Sequence, residues 1–183
     1  MPLRKPPIDY AAARKALVRA ISQGTGLAQN RILRAQAQGP VQPPPDKPYA
    51  TFMFRVSSLR TGFRDTQIRA PEISNTAVYF RGTRGIAVDV TFYGTDQDQA
   101  YELAASMQSA LSMPDVRGVL SAAKFAVWQI GEVVDVTALL NTGFEGRALL
   151  EFQIWTSSVV LSDPGEIYGV SVVGDFAGEI DLD

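Results

Sequence analysis

The sequence contains no cysteine and no histidine among its 183 residues. Without cysteine there is no disulfide, no thiolate nucleophile and no cysteine-bound zinc. Without histidine, the side chain that most often serves as general base and metal ligand near neutral pH is missing too. The two absences exclude Ser-His-Asp and Cys-His catalysis. Only a carboxylate or lysine mechanism remains open, and an enzyme is not expected. The sequence also lacks any run of about eighteen apolar residues, so no membrane-spanning helix is expected. The basic start MPLRKPPIDYAAARK is followed by no apolar segment, so no secretory signal is expected either.

What is present is an ordinary globular composition, 46% apolar and 20% charged, on a chain long enough for one domain with a sizeable core. The net charge of −2 hides a strong asymmetry. Residues 1–84 hold fourteen Lys and Arg against four Asp and Glu, a net of +10. Residues 85–183 hold three against fifteen, a net of −12. Two readings follow. The halves pack against each other within one domain, or a basic face of one subunit meets an acidic face of the next.

Periodicity supplies the elements. Asp9 is placed to cap a helix from Tyr10 to about Ser22, with Tyr10, Ala13, Leu17, Ala20 and Ile21 on one face and glycine in QGTG to end it. Leu27 to Gln36 reads as a short strand or a connection. The stretch GPVQPPPDKP then favours extended polyproline geometry and serves as a stiff spacer. It also holds two loose PxxP patterns, Pro40–Pro43 and Pro45–Pro48, of the kind SH3 ligands use.

From Tyr49 the period becomes two. YATFMFRVSS, NTAVYFRG and GIAVDVTFYG read as strands, the last with Ile86, Val88, Val90 and Phe92 inward and Asp89 and Thr91 outward. Between the first two, LRTGFRDTQIRAPEIS is long for a turn and predicts a projecting loop or β-arm. A helix is expected from Asp96 to about Ser112, with Thr95 as N-cap, Asp98 at the third position and Pro114 ending it. Ala100, Leu103, Ala104, Met107, Ala110 and Leu111 form its buried stripe. A turn or short helix follows. Strands come next at KFAVWQIGEVVDVT, bent at Gly131, and EGRALLEFQIWTSSVV, with an edge strand or hairpin at IYGVSVVGDFAGEI. The expected fold is α+β: a largely antiparallel sheet with helices packed on one face. The expected division is residues 1–48, a helix and proline-rich connector, and residues 49–183, the α+β core, all in one structural domain.

The chemistry offered is sparse. GTGLAQNR lacks the Gly-Lys-Ser/Thr end of a P-loop, and GVSVVG has no histidine to serve it as a nucleophile elbow. Glu132, Asp135, Glu145 and Glu151 are the kind of carboxylates a hard cation uses, but alternating outward on strands they also simply solvate a sheet. Arg60, Arg64 and Arg69 surround Phe63, the pattern of a nucleic-acid patch, yet a sequence pI near 5.2 opposes tight non-specific DNA binding. Their better use is pairing with acidic residues of a neighbouring subunit, or plain solubility. Arg60, Arg64, Arg69, Glu132, Asp135 and Glu145 are therefore the candidate subunit-interface residues. No catalytic, cofactor or metal site is assigned.

The helix ending in ISQGTGL, the entry KPYATFMF and the segment DVTALLNTGFEGRALLEFQIW together resemble the neck or tail terminator proteins of tailed bacteriophages, over roughly residues 9–170. Glu145-Gly146-Arg147-Ala148 ahead of a strand is the most recognisable piece. The resemblance implies a small α+β structural subunit without enzymatic activity or cofactor. It would form a ring, typically a hexamer, in the virion's tail-neck region after assembly in the host cytoplasm. The implied partners are further copies, tail tube or sheath proteins, and a head-completion protein, with DNA passing through the lumen without specific binding. The alternatives are another neck, tail-tube or baseplate component, or an unrelated protein-binding module.

Overall fold

A computed structural model of the chain describes residues 8–35, 44–60, 66–69, 78–140 and 143–162. Most of the proline stretch, Arg64 and the C-terminal edge strand or hairpin lie outside those residues.

The first helix, α1, spans Tyr10–Thr25. Asp9 caps it as expected, its carboxylate accepting from the backbone N–H of Ala11 and Ala12 at 3.1 and 3.0 Å. The helix runs a turn-fraction further than its apolar stripe indicates. It stops at Gly26, whose φ of +73° is the left-handed conformation that glycine adopts without penalty. A 3-10 turn at Gln29–Arg31 leads into strand β1, Ile32–Arg34, which pairs in parallel with β2, Tyr49–Arg60. The Leu27–Gln36 segment is thus partly a strand. Pro48, joined to Lys47 by a cis bond, enters β2 directly.

NTAVYFRG and GIAVDVTFYG are not separate strands. They form one sixteen-residue strand, β4, Val78–Tyr93. Gly82 and Gly85 read as interruptions, but β8, Arg147–Ser162, pairs with β4 in unbroken register from Val78↔Ser162 to Tyr93↔Arg147 and carries the ladder through them. A short strand β3, Thr66–Arg69, pairs with Arg81 to Val78, on the β2 side of β4 and in line with β2. Strands β2 and β3 both pair antiparallel with β4 in one long hairpin, and β3 falls within the segment expected as a projecting loop or β-arm, whose residues 61–65 and 70–74 lie outside those described.

Helix α2, Gln97–Ala110, begins one residue later than the sequence suggests, with Asp96 rather than Thr95 as N-cap. The Asp96 carboxylate accepts from Gln99 N–H at 2.8 Å, and the Gln99 side chain accepts from Thr95 N–H at 2.8 Å. This reciprocal pair outcompetes the Thr95–Asp98 pairing because it satisfies an orphan donor at each end. Pro114 opens α3, Pro114–Ala122, as a first-turn proline does without cost. Strand β5, Ala126–Asp135, follows with two register shifts, one at Trp128 and one around Gly131, where the bend was expected. A small hairpin of β6, Ala138–Leu140, and β7, Gly143–Glu145, leads to β8.

The fold is α+β. The six-stranded sheet is ordered β1-β2-β4-β8-β5 with β3 beside β4, mixed but mostly antiparallel. Leu17 and Ile21 of α1, Ala104 and Met107 of α2 and Leu120 of α3 are buried with Val88, Phe92, Leu150 and Ile154 of the central strands in one core. Because α1 joins that core, it belongs to the same domain as the sheet.

Candidate functional site

Among the described residues, the helices cover one face of the sheet and leave the other open. On β4 the even-numbered side chains from Ile86 to Phe92 enter the core, and the odd-numbered ones line the open face. Asp89 points outward as expected, yet it is only 8% exposed. Its direct partner on β8 is Glu151, so two carboxylates stand side by side. Like charges opposite each other destabilise a sheet. Arg55 resolves the conflict. It is the extra residue of a bulge between Phe54 and Val56 of β2. Its guanidinium donates to both Glu151 oxygens, at 2.7 and 2.8 Å, and its Nε lies 3.5 Å from Asp89 Oδ1. That last contact is an ion pair and not a hydrogen bond, because Asp89 Oδ1 is buried without a hydrogen-bond partner. Burial, then Arg55 in opposition, then Glu151 set the Asp89 carboxyl, and the balance raises it above its ordinary range.

A second charged group closes one end of this face. Glu145 pairs with Lys47 at 2.8 Å and with Arg147, whose Nε donates to Oε2 at 2.6 Å. Burial pushes Glu145 up, but the hydrogen bonds and charges of Lys47 and Arg147 outweigh it and hold the carboxyl below its usual range. Arg147 also lies over the Tyr93 ring, 5.3 Å from its centroid, and Tyr93 stacks on Tyr49 at 4.4 Å. Burial and the nearby Glu145 push the Tyr49 phenol up to about 12. The Glu145–Ala148 run thus has a structural explanation: two opposite charges flank a buried glycine whose carbonyl accepts from Gly94 N–H at 3.1 Å.

At the other end, Trp155 of β8 lies against Gly85, its register partner. A Cβ at Gly85 would fall 2.6 Å from the indole, so only glycine leaves room there. Trp128 of β5 meets Trp155 edge-on at 6.4 Å and is itself 75% exposed.

Five of the six candidate interface residues fall in three places, and Arg64 lies outside the described residues. Arg69 is exposed on β3, on the β2 side of the sheet, and Arg60 ends β2 on that same side. Exposed Arg34 of β1 adds to that edge. Glu132 and Asp135 are exposed on β5, the opposite edge. Hydrogen bonds from Thr137 and Gln97 hold Asp135 below the ordinary carboxylate range. Glu145 is turned to Lys47 and Arg147 within its own chain, so the three acids do not converge. Among the described residues, no group of three or more Asp and Glu could hold a metal ion. No described helix is long and apolar enough to cross a membrane. Sequence reasoning missed Arg55, Asp89 and Glu151 as a cluster, and also the exposure of Trp128. The only signal for the first was that the three occupy outward positions on strands whose register was not yet known.

The described residues thus form a mostly antiparallel sheet covered by helices on one face, with basic residues toward one edge and acidic residues on the other. The family model described as phage neck terminator protein matches residues 11–180. The chain belongs to that family. This is a family of structural proteins, and membership places the neck terminator in the tail-neck region of the virion, in contact with other neck and tail proteins. No curated protein matches the chain.

Proposed function

We propose that this neck terminator works as a closed ring of identical subunits that caps the tail tube and joins it to the head. The observation that carries the reading is the charge on the two sheet edges. A ring of one subunit type needs two different, complementary surfaces on each copy. Arg34, Arg69 and, by its place at the end of β2, Arg60 mark the basic side. Glu132 and Asp135 mark the acidic side, where Trp128 and Val134 add exposed apolar area. Opposite charges steer and register such a contact, while buried apolar surface supplies most of its affinity. Glu145 contributes by fixing Lys47 and Arg147. The ring is a hexamer, as the resemblance implies. It meets tail tube or sheath proteins on one side and a head-completion protein on the other, and DNA passes through without specific binding. The work is assembly and requires no catalysis and no cofactor.

The test is to add the purified protein to isolated tails and image the complexes. Density at one end of the tube is expected. Density along the tube or at the distal end favours another tail component.

A further inference from the structure

The long hairpin carries a second complementary pair of surfaces that the edge charges do not use. The buried core ends at Ile86 on β4 and Ile154 on β8. Strand β4 continues eight residues further to Val78, which at about 3.3 Å per residue is some 26 Å of ribbon paired throughout with β8 and, over Val78–Arg81, with β3 as well. Register aligns Arg81 with Val159 and sets Ile68 opposite residue 79 of β4, so Arg81, Val159 and Ile68 lie on the ribbon's open face. Ile68 is 45% exposed, Val159 57% exposed, and Arg81 is exposed with no ion pair among the described residues. The ribbon thus presents two aliphatic side chains around one cation.

The body of the sheet presents the inverse. A depression of about 300 Å³ on the open face is lined by Met53, Val136 and Leu149, with the Thr91 hydroxyl and the Asp89 carboxylate among its walls. Arg147, also in the lining, is bound to Glu145, and Arg55 is shared between Glu151 and Asp89. Asp89 is a lining residue of this open depression, and its shielded Oδ1 has the Arg55 ion pair but no hydrogen bond. A buried acceptor without a hydrogen bond is costly, so a further cation beside this carboxylate would be favourable.

We propose that the ribbon of one copy docks on the open sheet face of a second copy, with Arg81 reaching Asp89 and the Ile68–Val159 pair covering Met53, Val136 and Leu149. The contact rests on the self-assembly reading above and names its second surface. It also explains why an apolar ribbon face is left uncovered by the described residues, since such surface is ordinarily buried by a partner.

The absence of cysteine gives a clean test. Thr83 is exposed on the same face as Arg81, and Thr91 lines the depression. Thr83→Cys and Thr91→Cys chains are made separately, mixed and oxidised, and the cross-linked product is resolved by mass. A mixed dimer is expected, with yield falling about tenfold when the Thr91→Cys chain also carries Asp89→Asn or the other carries Arg81→Glu. Circular dichroism confirms that each variant is folded. Wild-type protein that forms a ring while the mixture gives no mixed dimer overturns the ribbon contact and leaves the ring standing. A wild-type monomer that still gives the Asp89-dependent mixed dimer supports the contact and counts against the ring. A monomer with no cross-link overturns both. Cross-linking of Thr91→Cys chains to each other alone, open face to open face, also overturns the proposal.

Discussion

The same strands face two environments, and their side chains differ accordingly. On the helix side, Ile86, Val88, Val90 and Phe92 of β4 meet Leu150, Phe152 and Ile154 of β8, and none is more than 2% exposed. On the open side, β4 offers Ala87, Asp89, Thr91 and Tyr93, and β8 offers Leu149, Glu151, Gln153 and Trp155. The first set needs only to be apolar and of the right volume to fill the space under three helices. The second set includes paired carboxylates bridged by a bulged arginine, an aromatic stack under a guanidinium, and an indole lying on a glycine. One face determines that the chain folds, and the other supplies what a partner can meet.

That contrast is best broken from the covered side first. Phe92→Ala removes a fully buried ring between the sheet and the helices and is expected to cost about 3–5 kcal/mol in urea unfolding. Leu17→Ala, in α1, is expected to cost about 2–5 kcal/mol in the same single transition, because α1 shares the core. A separate early transition for α1 would contradict the one-domain description. Gly85→Ala drives a methyl into the Trp155 ring and is expected to cost about 1–3 kcal/mol, with a change in tryptophan emission as the indole shifts. Thr91→Ala, on the open side beside Phe92, is expected to stay within about 0.5 kcal/mol of the parent.

Asp89 tests the open face through pH. Its folded pKa is raised, first by burial, so the native state holds the proton more readily than the unfolded chain. Its contribution to stability therefore falls as pH rises from the ordinary carboxylate value through the raised one. Glu145 behaves oppositely. With its folded pKa lowered, it contributes stability above the ordinary carboxylate value and loses it as pH falls through the lowered one. Asp89→Asn is expected to flatten the first dependence and Glu145→Gln the second, as read from unfolding free energies between acidic and neutral pH. A pH profile unchanged by Asp89→Asn would show that Arg55 fully compensates the burial.

The sequence made the covered face legible because burial leaves a period. The stripe of α2, the alternation of β4 and β8 and the cap at Asp9 all follow from local patterns that tertiary packing reinforces. The open face was legible only in part. Outward positions could be identified, but the pairing of Asp89 with Glu151 depends on a register between strands some sixty residues apart, and Arg55 joins them through a bulge that alternation does not encode. NTAVYFRG and GIAVDVTFYG read as two strands, but the long partner strand β8 carries one ladder through Gly82 and Gly85 despite glycine's poor strand preference. The hairpin of β6 and β7 was hidden inside a segment read as the approach to β8. The charge asymmetry was visible at once as a count. That Arg69 and Glu132 occupy opposite edges of one sheet was not visible, because it depends on strand order.

The central claim is that these edges join copies into a ring, and the mass of the purified protein in solution tests it most directly, measured across concentration and salt. The account predicts a closed oligomer, a hexamer, that loosens as salt rises and is weakened at low salt by Arg60→Glu, Arg64→Glu and Arg69→Glu together. A monomer at every concentration and salt, or an oligomer indifferent to both salt and that triple change, would contradict it.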